Sequence, residues 1–228
     1  MHLELPKTRL HSLMDFAKHY LMIVLSILTA LGLEAWIEHT HHRNAAVTAR
    51  AQIDEEIRSN LAEIDRARRH DLERMQALTK VRDTLLNDIN AHASDATIHQ
   101  HIHPDDIWLD WRWPILRHEA WDVAVANQSA SWIDNDQLHR YSAVYAAQNA
   151  STATMTEDLP TVLDGPRMFD AMIDRQTGNL QPRDLLHVVN QMVWLTSEAA
   201  HNLENTAKRI NDSLSGNGDS YTHATPTS

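Results

Sequence analysis

Histidine is the residue with the most unspent chemistry in this 228-residue chain: there are 16, and two groups are dense. His99, His101 and His103 alternate within "SDATIHQHIHPDD", while His39, His41 and His42 lie in "IEHTHH". Imidazole binds zinc, copper or nickel, and three rings at alternate positions of an extended segment can converge on one ion. Such a site also needs fixed geometry and a supporting shell of hydrogen bonds. The residues around the three histidines are polar and turn-forming, so Ser94 to Asp106 is expected to be a loop closed by Pro104 with its imidazoles solvated. His99, His101 and His103 therefore stand as metal candidates only, and no metal or cofactor is assigned. Sensing of acid by the histidines is a further use that their ordinary pKa allows.

A second pattern, "HEAWD", places His118 and Asp122 one helical turn apart, like the first half of a helical zinc site. The second histidine of that motif is aspartate here, and no third ligand is indicated. The chain has no cysteine, which excludes disulfides and thiolate chemistry. It also shows no glycine-rich phosphate loop and no nucleophile elbow, so it reads as a binding or structural protein rather than an enzyme, with no catalytic residue. Tryptophan is the other concentrated resource: five of the seven fall between Trp108 and Trp132. Trp, Tyr and Arg are the usual anchors of protein interfaces. Trp108, Trp111 and Trp113 alternate with Leu109 and Arg112 beside the loop and are expected to be exposed, as interaction candidates. Trp121, Trp132, Tyr141 and Tyr145 are expected to close a core.

The elements that must position these residues are helical. Gly and Pro are scarce, at 5 and 7 residues, and helix-favouring residues dominate. "YLMIVLSILTALGLEAWI", Tyr20 to Ile37, is apolar on every face and has one acid, with Tyr20 and Trp36 at its two ends where an aromatic belt would sit. This predicts a transmembrane helix. A cleaved export signal is the competing reading, since Lys7, Arg9 and Lys18 form a basic start and Ala30-Leu31-Gly32 resembles a cleavage site. The apolar character continues past Gly32, which favours a retained anchor. Lys7, Arg9 and Lys18 before the span outnumber Arg43 and Arg50 after it, which points residues 1–19 into the cytoplasm. Glu34 lies near the end of the span, shallow enough to reach the interface, and is otherwise a candidate for helix-to-helix pairing.

Beyond the span, Glu38 to about His92 contains no Gly or Pro and reads as one helix. Ile53, Ile57, Leu61, Ile64, Leu72, Met75, Leu78, Leu85 and Ile89 recur mostly at three- and four-residue steps. Arg68 and Asp71 interrupt that stripe beside "RARRH", which reads as a solvated face. Pro114 is expected in the first turn of a helix to about Ala130, with Leu116, Ala120, Val123 and Ala124 inward. Asp134 or Asn135 should cap a second helix with Leu138, Tyr141, Tyr145, Met155 and Leu159 on one stripe, ended by Pro160. A short helix from Pro166 to Arg175 follows. Leu185, Val189, Met192, Ala199, Leu203, Ile210 and Leu214 then form a heptad-like seam that requires a helical partner, which the helix after the membrane supplies by antiparallel packing. Residues 215–228 read as a disordered tail.

Two segments, "HYLMIVLSILTALGLEAWIE" and "HEAWDVAVANQSASWIDNDQLHRYSAVYAAQ", resemble a loose group of uncharacterised single-pass bacterial membrane proteins. The likeness covers residues 16–60 and 117–148, and Gln128-Ser129-Ala130 stands where that group often has Gly near the turn. No activity is assigned to the group, so the resemblance implies topology and helical content and supplies no site residues. The sequence thus predicts an all-α protein: a short cytoplasmic segment (1–19), a transmembrane helix (20–37), a helical extracytoplasmic domain (38–214) and a tail. Only three of the 20 basic and four of the 31 acidic residues lie in the first 38 positions, so that domain is acidic. Such a charge argues against nucleic acid as a partner. A bacterial inner-membrane scaffold or accessory protein, with a protein partner or a second copy of itself, is the expected role. A periplasmic ligand-sensing module is the alternative, and a histidine-based metal binder the next.

Overall fold

The structure is a computed structural model that describes residues 9–103, 106–107, 109–157, 170–171, 173–174, 177 and 181–216. The fold is all-helical, and α1, Arg9–Asn90, is its axis. This helix is unbroken for 82 residues because no Gly except Gly32 and no Pro falls within it. At about 1.5 Å per residue it extends roughly 120 Å. Its first part is bare: the large apolar side chains from Leu13 to Ile37 are exposed, and this stretch is long and apolar enough to cross a membrane.

Past His42 the other described elements cover one face of α1. Ala46, Ile53, Asn60 and Ala67 recur every seven residues along the buried face, as do Ile57, Ile64, Asp71, Leu78 and Leu85. The last helix, α5, Pro182–Ser215, answers with Leu185, Met192, Ala199 and Thr206, and with Val189, Thr196, Leu203 and Ile210, at the same interval. A seven-residue repeat on a helix of 3.6 residues per turn drifts slowly around it, so two such stripes stay in contact by winding left-handedly. The helices run antiparallel. Leu78 and Leu85 share a core layer with Leu185 to Met192, whereas Ala46 to Ile64 share the other layer with Leu203 and Ile210. Pro182 starts α5 in its first turn, and Gly216 ends it in a left-handed conformation (φ 78°) that glycine adopts without strain.

The intervening elements are α2 (Asp95–His101), α3 (Glu119–Ala126), a 3-10 turn (Ser129–Trp132) and α4 (Asn135–Glu157). Asp134 caps α4, its Oδ1 accepting from the backbone N–H groups of Asp136 and Gln137. Tyr141, Tyr145 and Met155 lie on the buried face of α4, as their spacing predicts, with Val144, Gln148 and Ser151 beside them. Leu159 and Pro160 lie outside the described residues, as do residues 217–228 of the expected tail. Of the helix expected over Pro166 to Arg175, Asp170, Ala171, Ile173 and Asp174 are described, and all are helical.

Three sequence expectations are corrected. Ser94 to Asp106 is not simply a loop: Ser94 caps α2 by accepting from the Thr97 N–H, and Ile98 and Ile102 are buried against Leu78 and Leu85. Two buried isoleucines gain enough from leaving water to hold a short helix that composition alone would not. Pro114 does not begin a helix; the chain stays non-helical to Arg117 and α3 starts at Glu119, with Val123 exposed rather than inward. Asp71 is not on a solvated face but fully buried, on the seam.

Candidate functional site

Asp71 and its neighbours show what α1 does beyond packing. A non-helical segment laid against a helix has backbone groups that neither element's own ladder satisfies, and burial makes that costly. Three polar side chains on the α1 seam supply the partners. Asp71 Oδ1 accepts from the Arg112 N–H at 2.7 Å. Asn60 is bidentate on Arg117, accepting from its N–H at 3.0 Å and donating to its carbonyl at 2.7 Å. Glu56 Oε2 accepts from the Ala120 N–H at 2.9 Å, just inside α3. The tryptophan-rich segment is thereby pinned along four turns of α1.

A second set of bonds ties α4 to the same face. Tyr145 donates to Glu56 Oε1 at 2.6 Å, and Tyr141 donates to Asp54 at 2.5 Å. Burial, then the adjoining carboxylate, pushes the Tyr141 hydroxyl up to about 12 and moves Tyr145 further in the same direction, so both stay protonated donors. Trp121 stacks on Tyr145 with ring centroids 5.3 Å apart. Asn60 also donates to Gln148 Oε1. Glu56 and Asn60 are thus committed to holding the fold.

One chain of groups retains proton chemistry. His70 Nδ1 lies 3.2 Å from Asp71 Oδ1 and its Nε2 lies 3.2 Å from Asp110 Oδ2, so the ring bridges α1 and the pinned segment. Burial pushes the Asp71 carboxyl above the ordinary carboxylate range, against the hydrogen bond from Arg112. Its Oδ2 finds no partner among the described residues; nor do Trp113 Nε1 and Gln148 Nε2.

The candidates read from the sequence are dispersed. His99 and His101 fall in α2, a helix and not the extended segment on which alternate imidazoles could converge. His101 Nδ1 is 2.9 Å from Asp88 at the end of α1, and His103 is exposed beyond the helix. Among the described residues no three His, Asp or Glu side chains are grouped for a metal ion. His118 pairs with Asp122 at 2.6 Å, which, before their mutual charge, raises the imidazole pKa. Glu34 is exposed on the bare part of α1. Trp108 lies outside the described residues. Trp111 and Trp113 are half-buried instead of exposed, Trp113 packing on the core, because the bonds from Asp71 and Asn60 draw their segment inward. Trp132 reverses its expectation too: it is 52% exposed.

Trp132 is placed by a turn with no glycine. Gln128 follows α3 in a left-handed conformation (φ 64°), the Ser131 N–H and hydroxyl both donate to its carbonyl, and Ser129 and Ala130 are buried. The indole then stacks on His42 of α1, centroids 3.8 Å apart and planes 17° from parallel. Beside this corner an open groove of about 630 Å³ runs along α1, with Gln52, Glu55, Glu56, Ser59 and Arg117 in its wall. The groove reaches the pinned segment at Arg117 and Ala120, where Glu56 holds the Ala120 N–H. Compared with family models, with curated proteins and with solved structures, the chain finds no match.

Proposed function

We propose that this chain is a single-pass membrane protein whose helical bundle acts through protein contacts, as an oligomeric scaffold or as an accessory subunit. The observation that carries the reading is the exposed apolar part of α1: none of the described residues packs over Leu13 to Ile37, yet the same helix continues without a break into the bundle. Apolar surface on that scale calls for lipid or another chain. The excess of Lys and Arg before the span supports a cytoplasmic N-terminus, with the bundle on the periplasmic side of a bacterial inner membrane. Trp111, held half-buried on a pinned segment at the bundle's side, is the proposed contact residue, and Glu34 is a candidate for pairing spans.

Two measurements test the proposal. The full chain should stay with membranes through a carbonate wash and keep its own N-terminal residues by mass spectrometry; a soluble species beginning near Leu33 would establish the export reading instead. A photo-crosslinking residue at Trp111 should then give an adduct of defined mass in intact cells, and one at Arg66 should not. Equal labelling at both positions would remove the contact role.

A further inference from the structure

The bundle does not begin at a distance from the apolar stretch. His42 is five residues past Ile37, the last residue of the apolar segment, and at about 1.5 Å per residue that is roughly 7.5 Å along the helix. The headgroup zone on each side of a bilayer core is about 5 to 8 Å thick. An indole stacked on the His42 ring therefore sits at headgroup level when α1 stands upright, and deeper on one side when it tilts. Transmembrane helices tilt by about 20° on average. Val125, one residue before the end of α3, is exposed on the approach to the same turn.

We infer that the corner formed by the end of α3, the 3-10 turn and the start of α4 rests on the bilayer that α1 enters, with the Trp132 indole as its lipid contact. Indole is the side chain best suited to that depth, since its body is apolar and its N–H prefers a polar partner. The charges next to the corner in the chain are mixed: Asp134, Asp136 and Arg140 follow the turn, and Arg43 follows His42. The contact is therefore with the zwitterionic interface and not through a basic patch on anionic lipid. Because α1 passes from span to bundle with no hinge, seating Trp132 fixes the tilt of the whole bundle over the membrane. That orientation decides which flank, with its pinned tryptophans, faces a neighbour.

This inference rests on the membrane-anchor reading, and one experiment separates the two. The chain has no cysteine, so a single introduced cysteine carries a nitroxide label at one known place. Ile27→Cys reports the span, Ala126→Cys and Ser131→Cys report the corner, and Asp95→Cys reports the far end of the bundle. The full chain is placed in phosphatidylcholine nanodiscs, and the label's accessibility to oxygen is compared with that to a water-soluble nickel chelate. The oxygen-to-nickel ratio at positions 126 and 131 should exceed that at 95 several-fold and approach the value at 27. Trp132→Ser, with helicity retained by circular dichroism, should bring both corner ratios down toward that at 95. A lipid-like ratio at 27 with water-like ratios at 126 and 131 overturns the inference and leaves the anchor standing. A water-like ratio at 27 removes the anchor and the inference together, and corner ratios unmoved by Trp132→Ser reject the indole as the contact.

Discussion

The two layers of the bundle are cut from the same helix pair but packed with different chemistry. The far layer, around Leu78, Leu85, Leu185, Val189 and Met192, takes in Ile98, Ile102 and Ile107 and is aliphatic throughout. The layer nearer the apolar end holds Ile53, Ile57, Ile64, Leu203 and Ile210, and around them Asn60, Glu56, Tyr141, Tyr145 and Trp121. The difference follows from what each must hold. The far layer receives a short capped helix whose backbone bonds are mostly its own, so apolar area is enough. The near layer receives a segment with no secondary structure, and only side chains directed at its peptide groups can fix it there.

Leu203→Asp should have the largest effect, because it puts an unpaired carboxylate where the α1 and α5 stripes meet. The expected loss is about 4 to 5 kcal/mol. Urea unfolding of the full chain in mild detergent, followed by circular dichroism, measures it. An unchanged midpoint would mean that α5 does not pack on α1 through this face. Asn60→Leu comes next and separates the layers, since it adds apolar surface while removing the clamp on Arg117 and Gln148. If the near layer depends on directed bonds, the substitution costs about 2 to 4 kcal/mol, about 1 to 2 for each of the two Arg117 backbone groups left unpaired, the lower part of the usual range because both bonds are only partly buried. Stability equal to the native chain would show that apolar area alone holds both layers.

The division between what the sequence made legible and what it hid follows the same line. The α5 seam and the continuity of α1 are local facts: a repeat of threes and fours and the scarcity of Gly and Pro, readable without knowing any partner. The cap at Asp134 is also local, a carboxylate two and three positions before the N–H groups it accepts. The site is not local. Asn60 meets Arg117, Glu56 meets Ala120 and Asp71 meets Arg112 across 57, 64 and 41 residues. A polar residue at a heptad position looks like an interruption of the stripe until the backbone it serves is in place, which is why Asp71 reads as solvated. Trp132 was hidden by its turn. Without a glycine to signal the left-handed residue at Gln128, the chain reads as helix onward from Pro114 with the indole inward. The faint signal for the site was the register itself: Asn60 and Asp71 continue the seven-residue intervals of the apolar residues around them.

Asp71 supplies the smallest and most specific of the predictions, because it lies between the two layers and its charge state reports the packing there. Burial raises its carboxyl pKa above the ordinary value near 3.9, so the folded chain holds this proton more tightly than the unfolded one. Its contribution to stability is fully present below that ordinary value and is lost as the pH rises through the folded-state value. His70 and Asp110 are ionisable groups in contact with this cluster, so the native profile alone does not isolate the effect. Asp71→Asn does. The amide oxygen can still accept from the Arg112 N–H, while the titration disappears. The native chain minus the variant should therefore show a stability difference that falls from pH 4 toward neutrality and then levels. Urea midpoints of both proteins across that range provide the measurement. A difference that stays flat with pH would mean that water reaches Asp71 and that the boundary between the layers is open.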